Sequence, residues 1–437
     1  MKKAFRKAAL AAAIAGLFGG GAGTASAAGF ALAEQSGSGL GNAYAGAAAS
    51  AEDASTVFFN PAGMSRLQGR QFAVAGHVIA VSADFSGSAT GPAALGLGTV
   101  PGTGDPGQTS FVPNGYFVMP YGERLHFGIG VNVPFGLTTE YDSNWVGRFQ
   151  GIKSELTTIN INPSVSYKLS DTVSVGGGIN YQLADAELTN AVVLGAGVSG
   201  NTKLEADDDG WGWNLGLLFD VASGTRIGLA YRSPIEYELE GSVNTTTAAG
   251  APVAAASGPA RADVTFPGMF SLSLAHRLSD RLQLLGDATF TQWSEINRVD
   301  VVNTTNGTLR EVFVFDFDDS WRVSVGADYK WNDQWTLKGG LAYDQTPVKS
   351  ATTRTVRLPD NDRIWLALGA QMRVGQSGRL DLGYAHLFIK DADINHTRSQ
   401  QAPGFTVPTP APGTATTVTG TYEGSVDILS VQYSMSF

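Results

Sequence analysis

The chain has 437 residues, of which 16% are charged, and its mean hydropathy of −0.01 is that of a soluble protein. It has no cysteine, so neither disulfides nor thiolate metal sites can form. Its 39 acidic residues outnumber 29 basic ones, and the formal net charge of −10 without any basic tract argues against nucleic acid as a partner.

The first 27 residues have the pattern of a cleavable export signal. Four basic residues precede an apolar run at residues 8–18, and Ala25-Ser26-Ala27 is a small-residue cleavage site. The apolar run is shorter than the ~20 residues that a membrane-spanning helix needs, so a retained anchor helix is the weaker alternative. We expect residues 1–27 to be removed and the mature chain to begin at Ala28. Processing then leaves 25 basic against 39 acidic side chains, a net charge of about −14.

A stretch rich in Gly, Ala and Ser, residues 30–64, follows the signal directly. Such small side chains cannot bury enough apolar surface to fold as a separate domain, so another part of the chain must enclose them. The remainder of the chain reads as a series of strands, which suggests the lumen of a barrel as the enclosure. We therefore predict a hatch over residues 28–69 and an outer-membrane β-barrel over residues 70–437.

From Gln71 onward, apolar residues recur at every second position, which is the period of a strand with two different faces. Short turn-forming clusters alternate with long segments rich in Gly, Pro, Thr and Ala, as in outer-membrane barrels with periplasmic turns and external loops. The pattern predicts an all-β fold, a transmembrane antiparallel barrel of about 14 strands with both ends in the periplasm. The turns lie at 121–123, 169–171, 222–224, 278–280, 331–333 and 375–378, and the long segments include 85–110, 189–203, 242–261 and 395–420.

The polar face of these strands distinguishes a barrel from a soluble sandwich. In residues 379–388, large apolar side chains share one face, while Arg379 and Asp381 share the other with Gly and Ala. Residues 363–374 repeat this pattern, with Arg363 on the polar face. A soluble antiparallel sandwich also alternates. Charged side chains set beside small ones instead favour a hydrated or plugged barrel interior.

The last strand ends on an aromatic residue. Apolar side chains occupy every second position from Leu429 to Phe437, and Ser or Gln lies between them. A terminal Phe after such a strand resembles the signal by which the outer-membrane assembly machinery recognises its clients. We therefore expect this machinery to be a partner of the chain through Phe437.

Short motifs are spread in order over the whole mature chain. They are AGF at 28–30, SGLGNAYAG at 38–46, the acidic pair at 52–53, NPA at 60–62, VPFGL at 133–137, WVGRF at 145–149, TQWS at 291–294, DQTPV at 344–348 and PDNDRIW at 359–365. Together they closely resemble the long-chain fatty acid transporter (FadL) family of outer-membrane proteins (OmpP1/FadL/TodX). The resemblance implies a barrel of 14 strands plugged by an N-terminal hatch, which carries hydrophobic molecules inward without energy input.

The resemblance assigns the motif Asn60, Pro61 and Ala62 to the end of the hatch, against the barrel interior. The restricted φ of proline and the amide of Asn60 also suit a turn that bonds to barrel groups. The residues alone fit a plain surface turn before the first strand as well.

The resemblance also assigns a ligand pocket and an opening in the wall. Phe30 matches an aromatic residue that lines the pocket, and Pro134, Phe135 and Gly136 lie where the family's third strand kinks inward and leaves a gap. Proline lacks the ladder donor and glycine weakens a strand, so a local break is expected here. The alternatives are a disordered terminus or hatch packing for Phe30, and a simple strand end for the other three residues.

One departure from the family concerns the charged end of a ligand. Family members that take up fatty acids hold the carboxylate with basic luminal side chains, but residues 317–322 carry Asp where the resemblance implies Lys. Arg322 and Arg363 point inward by parity and are our candidates for ligand binding, although luminal arginines often pair with acidic neighbours such as Asp381. Relatives of this kind also import alkanes and aromatic hydrocarbons, which need no cation.

Three functions are compatible with the sequence. The leading one is a passive transporter of hydrophobic compounds, either long-chain fatty acids or hydrocarbons, which bind in the lumen and leave sideways into outer-membrane lipid. An outer-membrane lipase would need a Ser/His pair on one face, and none is legible. An adhesin or phage receptor would use the long loops.

The remaining expectations concern cofactors and assembly. The five histidines lack metal-ligand spacing, and no Gly-x-Ser-x-Gly elbow or dinucleotide loop is present. We expect a monomer in the Gram-negative outer membrane that is not an enzyme and has no cofactor, no metal and no nucleic acid partner.

Overall fold

The structure is a computed structural model that describes residues 29–437. The predicted signal, residues 1–27, and the predicted mature start at Ala28 lie outside the described residues. Within the described range, no helix is both long and apolar enough to cross a membrane.

The N-terminal segment, residues 29–69, contains three single-turn helices, α1 (Gly37–Leu40), α2 (Ala47–Ser50) and α3 (Thr56–Phe59), followed by the 3-10 helix Pro61–Arg66. Ser36 caps α1, since its hydroxyl accepts a hydrogen bond from the Gly39 amide at 3.1 Å. Isolated helices of this length are not stable in water, so tertiary packing must hold them.

The rest of the described chain is built almost entirely from 21 strands. They are β1 (Gln71–Thr90), β2 (Thr99–Gly104), β3 (Thr109–Tyr121), β4 (Leu125–Asn132), β5 (Gly136–Glu140), β6 (Lys153–Lys168), β7 (Val173–Gly195), β8 (Val198–Ala222), β9 (Thr225–Arg232), β10 (Ile235–Thr247), β11 (Gly258–Phe266), β12 (Met269–Arg277), β13 (Leu282–Thr291), β14 (Arg298–Asn303), β15 (Leu309–Val314), β16 (Ser320–Lys330), β17 (Trp335–Asp344), β18 (Arg363–Val374), β19 (Gly378–Ile389), β20 (Ala392–Arg398) and β21 (Thr416–Ser436). Short 3-10 helices occupy Ala93–Leu95, Ala254–Ala256 and Trp293–Glu295.

These strands form a closed antiparallel barrel of 14 strands, as the sequence predicts. Six barrel strands are interrupted along their length and appear as two numbered strands each, and β2 pairs only with the outer end of β1. The barrel closes where β1 pairs with β21, from Gln71 opposite Ser436 to Thr90 opposite Thr417. Closure removes the free edges that an open sheet would expose.

The two faces of the wall differ as the alternation predicts. On β18, Ile364 and Leu368 are 54% and 60% exposed on the outside, while Trp365 and Arg363 are buried on the inside. Large outward side chains such as Trp211, 66% exposed, continue this apolar surface around the barrel. So large an exposed apolar surface is unfavourable in water and is expected where the outside of the barrel faces lipid.

The long segments predicted as loops contain more strand than expected. The segment 189–203 is the tip of a hairpin in which Thr189 pairs with Lys203 and the two strands meet at a turn before Val198. The other three long segments likewise lose residues to strand ends. The prediction of loops was wrong there because Thr and Val favour strands, and this preference outweighs the turn signal of neighbouring Gly and Ala.

The N-terminal segment lies inside the barrel and bonds to strands on different sides of it. Its hydrogen-bond partners in the wall include Tyr116 in β3, Leu217 in β8, Ser273 in β12, Gly286 in β13 and Gln432 in β21. Because these strands are distributed around the circle, the segment crosses the lumen.

The fit between segment and wall requires glycine at points of close approach. A Cβ atom on Gly340 of β17 would lie 2.2 Å from the backbone of Asn42, and one on Gly228 of β9 would lie 1.9 Å from the Ala48 carbonyl oxygen. Neither distance is sterically allowed, so any larger residue would push the segment away from the wall.

This contact gives a matched test on adjacent residues. We expect Gly340→Ala to lower the thermal unfolding midpoint, because overpacking costs about 1–3 kcal/mol. Gly339→Ala is the control, since its Cβ would face outward with its nearest neighbour, Leu368, at 3.9 Å. Thermal unfolding in detergent measures both. Equal midpoints for the two variants would show that the segment does not press against the wall at Gly340.

Candidate ligand site

The third barrel strand is broken between β4 and β5. β4 ends at Asn132 and β5 begins at Gly136, so the break contains Pro134 and Phe135. Proline supplies no ladder donor. The Phe135 backbone bonds instead to a side chain of the next strand, because its amide donates to Thr158 Oγ1 at 3.0 Å and its carbonyl accepts from the same hydroxyl at 2.7 Å.

This break interrupts the ladder between the second and third barrel strands. β3 pairs with β4 up to Gly115 opposite Val131, whereas β5 pairs with β6 and has no ladder pairing with β3 in the described chain. At the outer end, the Glu140 amide donates to the Pro106 carbonyl at 3.2 Å. The interruption therefore has backbone hydrogen bonds to the second barrel strand or its preceding loop at each of its two ends.

The start of the N-terminal segment pairs with the broken strand from the inside. The Leu32 amide donates to the Pro134 carbonyl at 2.8 Å, and the Gly136 amide donates to the Phe30 carbonyl at 2.9 Å. Ala31 and Phe135 form an isolated antiparallel bridge between these two bonds. The structure thus brings together two sets of residues that the sequence analysis treated separately.

Buried aromatic rings surround this junction. The ring of Phe30 lies 4.8 Å from Trp293, 5.4 Å from Phe266 and 5.9 Å from Phe135, all in edge-on geometry. Such pairs add to the stabilisation that burial provides. Phe266 was missed by the sequence analysis, and Trp293 was seen only as part of the motif at 291–294.

A cavity of about 110 Å³ adjoins the aromatic rings. Apolar residues of the N-terminal segment, including Leu32, Phe58 and Phe59, line one side of it. The wall lines the other side with Trp293, Met269, Ser271, Asp287, Thr289, Thr291, Ser320, Arg322 and Asp344. A cavity of roughly 150 Å³ can hold benzene, so this smaller one suits part of a hydrophobic molecule.

Arg322, one of the two predicted ligand-binding cations, lines the cavity, and its Nε is buried without a hydrogen-bond partner. Its Nη2 donates to the Ala43 carbonyl at 2.5 Å, and its guanidinium lies 5.6 Å from the Tyr44 ring and 5.0 Å from the Trp365 ring. It also stands directly opposite Asp344 in the pairing of β16 with β17.

Arg363, the second predicted cation, does not line this cavity. Its side chain is 2% exposed and forms an ion pair with Asp360. Asp360 also accepts from the Gly29 amide at 3.0 Å. Asp381, which the sequence suggested as a partner for luminal arginines, lies 3.8 Å from Lys338 instead. Arg363 therefore holds the start of the N-terminal segment through Asp360.

A buried carboxyl group close to this region was not anticipated. Glu34 is 1% exposed, and one of its carboxyl oxygens has no hydrogen-bond partner. Burial raises the pKa of Glu34 to about 7, because the charged form loses its hydration. Arg322 and Arg363 oppose this shift electrostatically without cancelling it.

The motif Asn60, Pro61 and Ala62 bonds the N-terminal segment to the wall. Asn60 is fully buried, which excludes a plain surface turn. Its amide nitrogen donates to the carbonyls of Ala48 at 2.7 Å and Leu217 at 2.9 Å, and its Oδ1 accepts from the Ala62 amide at 3.1 Å. Pro61 opens the 3-10 helix, where no amide donor is needed.

A second, ionic anchor lies on the opposite side and was missed from sequence. Lys338 Nζ lies 2.8 Å from Glu52 and donates to the Ser38 carbonyl at 3.2 Å. Gln371 donates to Glu52 at 2.6 Å, and Arg379 donates to the Glu52 carbonyl at 2.8 Å. Among residues 29–437, no group of three or more His, Asp or Glu side chains is arranged to hold a metal ion.

The sequence matches a known protein family over the whole barrel. A family model described as outer membrane protein transport protein (OMPP1/FadL/TodX) matches residues 20–437. Outer membrane protein P1 of Haemophilus influenzae is 32% identical over 416 residues, which cover 86% of this chain and 90% of that protein. The long-chain fatty acid transport protein of Escherichia coli K12 is 28% identical over 432 residues, which cover 90% and 94%.

Solved structures show the same architecture. A FadL homologue from Pseudomonas aeruginosa superposes with a TM-score of 0.85 at 25% identity, covering 94% of this chain and all of that one. The toluene transporter TbuX of Ralstonia pickettii superposes with a TM-score of 0.67, covering 93% of this chain and 100% of that one. At 18% identity, this second similarity bears on the fold alone.

The bonds of Asn60 lead to a test of how the segment is held. We expect Asn60→Ala to destabilise the packed segment by about 1–2 kcal/mol, because a cap and a bond to the wall are lost together. Ion conductance in planar bilayers should rise while the barrel still folds. Asn306→Ala, in an exposed loop, is the matched control. If conductance is the same in both variants, Asn60 does not hold the segment in place.

Proposed function

Because the chain belongs to the outer membrane protein transport family (OMPP1/FadL/TodX), we propose that it carries hydrophobic compounds passively across the outer membrane. The protein is an outer-membrane β-barrel, and its relatives are transporters rather than enzymes. We propose long-chain fatty acids or hydrocarbons as the substrate class, as the names of its relatives suggest. We also propose that residues 1–27 are removed. We propose further that the assembly machinery recognises Phe437, which is 59% exposed.

The observation that carries this proposal is the position of the cavity beside the break in the wall. Ala31 and Leu32 line the cavity, and the backbones of Leu32 and the neighbouring Phe30 bond to Pro134 and Gly136. A ligand in the cavity would therefore lie one layer of chain away from the interrupted ladder. We propose that Phe30 and Phe135 contact the ligand at this junction.

The N-terminal segment supports a sideways exit rather than an axial one. A barrel of this strand number has a lumen wide enough to leak small solutes unless it is filled. We propose that residues 28–69 are the hatch that fills it, held by Asn60 on one side and by Glu52 on the other. With the axial path filled, the interruption beside β5 is the alternative route.

The energetics of a hydrophobic ligand favour the same route. Release into the aqueous periplasm would expose apolar surface at about 25 cal/mol per Å². Release through the wall keeps that surface in lipid. Passive lateral transfer therefore needs no energy source beyond the concentration gradient of the ligand.

A lipase is disfavoured by the geometry of a Ser/His pair in the described chain. His77 Nδ1 lies 2.5 Å from Ser430 Oγ, but both residues are fully buried inside the barrel. Asn114 places its amide nitrogen 2.9 Å from His77 Nε2 and donates to the Glu34 carbonyl. Both ring nitrogens of His77 are engaged by Ser430 and Asn114, and the buried pair is inaccessible to a lipid ester.

The proposal can be tested at the interruption. We expect Pro134→Val with Gly136→Val to favour continuous strand pairing and to reduce uptake of long apolar substrates at least several-fold, because both residues weaken a strand. Expression and heat-modifiability should be unchanged. Uptake by cells expressing the chain as their only carrier of this kind is the measurement.

Pro163→Val is the matched control, because Pro163 is exposed on the outer face of β6 and lies away from the cavity. It should leave uptake unchanged. Normal transport by the double variant, together with a structure in which the gap is closed, would reject lateral exit and favour an axial path.

A further inference from the structure

Glu34 lies where the N-terminal segment passes from the break in the wall to the interior of the barrel. Before it in the chain, the Leu32 amide bonds to Pro134 at the break, and after it Ser36 caps α1. The Glu34 side chain is 1% exposed, and its Oε2 atom has no hydrogen-bond partner. Burial without a partner is unfavourable for a charged carboxylate, so this position favours the neutral acid.

The wall near Glu34 carries a row of three charged side chains. Strand register sets Asp344 of β17 opposite Arg322 of β16 on one side and opposite Arg363 of β18 on the other. Both arginines favour the charged form of Glu34 electrostatically, whereas Asp344 disfavours it. The Nε atom of each arginine is buried without a partner, and neither arginine donates to Glu34 Oε2. The row therefore reduces the cost of a charge on Glu34 without removing it.

Two further titratable groups lie near Glu34. Tyr44, in the same N-terminal segment, interacts with it electrostatically. His77 of β1 is connected to it through Asn114 of β3, whose amide nitrogen lies 2.9 Å from His77 Nε2 and donates to the Glu34 carbonyl at 3.2 Å. Both side chains are buried. Because histidine ordinarily titrates between pH 5 and pH 8, His77 needs its own control in a pH experiment.

The protonation of Glu34 differs between the packed segment and a segment that has left the wall. In the packed state, loss of hydration raises the pKa of Glu34 to about 7. In contact with water, its pKa returns to the ordinary value of about 4.5. An acid whose pKa is raised in the packed state stabilises that state fully below about pH 4.5, and this contribution is lost as the pH rises to about 7. At higher pH, Glu34 is charged in both states and the effect is constant.

We propose that Glu34 is a proton-controlled latch, which holds residues 30–35 against the break while it is neutral and releases them when it loses its proton to water. The inference rests on the proposed transport function and concerns its regulation. Ala31 and Leu32 line the cavity, and the same part of the segment bonds to both sides of Phe135. Release of these residues therefore joins the cavity to the break. Exit of an uncharged ligand then becomes faster as the pH rises.

The first test uses the absence of cysteine from the chain, because a single introduced thiol then reports on the segment. Ala33→Cys places that thiol beside the cavity, next to Glu34. Its alkylation rate in the purified full chain in detergent is divided by that of Asn306→Cys, in an exposed loop, to correct for the pH dependence of thiol reactivity. We expect this ratio to rise at least about tenfold from pH 5 to pH 8. A ratio that does not change with pH would overturn the inference.

Glu34→Gln in the same Ala33→Cys protein is the matched control, since the amide has the shape of the neutral acid and does not titrate. Its ratio should stay within about twofold of the value at pH 5 over the whole range. His77→Gln should leave the pH dependence in place. A pH dependence that survives Glu34→Gln, or that is lost in a folded His77→Gln protein, would assign the effect to another group and reject the latch. Thermal unfolding establishes that each variant is folded.

The second test connects the latch to ligand exit. We expect N-phenyl-1-naphthylamine, an uncharged fluorophore, to leave the full chain for an excess of uncharged micelles several-fold faster at pH 8 than at pH 5, and equally fast at both in Glu34→Gln. Alkylation that depends on pH without release that does so would reject control of ligand exit by Glu34. Absence of fluorophore binding at either pH would instead reject the luminal site of the proposed function, and the alkylation ratio would still decide whether Glu34 holds the segment.

Discussion

This structure depends on one constraint, which is that a wide barrel lumen must be filled. The segment that fills it must find hydrogen-bond partners for its own polar groups. A barrel of 14 strands is too wide for its own side chains to fill, so a separate segment must occupy it. That segment is made of small residues and gains little from apolar burial. Specific bonds therefore hold it, through the Asn60 amide on one side of the wall and the Glu52 carboxylate on the other.

The same constraint shapes the wall and the site. Where the segment touches the wall, glycines such as Gly340 make room for its backbone. Where the wall is broken, the segment supplies the missing hydrogen bonds, since Phe30 and Leu32 bond to the residues on either side of Phe135. The cavity lies between these two kinds of contact. Its apolar side belongs to the segment and its charged side to the wall, so neither part forms the site alone.

Sequence reasoning reached the architecture because alternation, turns and the strand-breaking residues Pro134 and Gly136 are local signals. Parity also placed Arg322 and Arg363 on the inner face. Parity cannot tell which inward residues share a height in the barrel. Strand register and tilt determine these contacts. They include the ion pairs of Arg363 with Asp360 and of Lys338 with Glu52, and the contact of Phe266 with Phe30. Hairpin tips such as 189–203 were missed because turn and strand preferences compete there.

The charged residues around the cavity show why parity alone cannot assign a role to an inward arginine. Arg322 would be read as a carboxylate receptor from parity alone. Cross-strand pairing sets Asp344 opposite both Arg322 and Arg363, and no local sequence signal predicts this register. Buried cations and the acidic groups near them must be considered together, because removing one member of a buried pair leaves an uncompensated charge. Which inward arginine is accessible to a ligand therefore depends on strand register, which the alternation of residues does not encode.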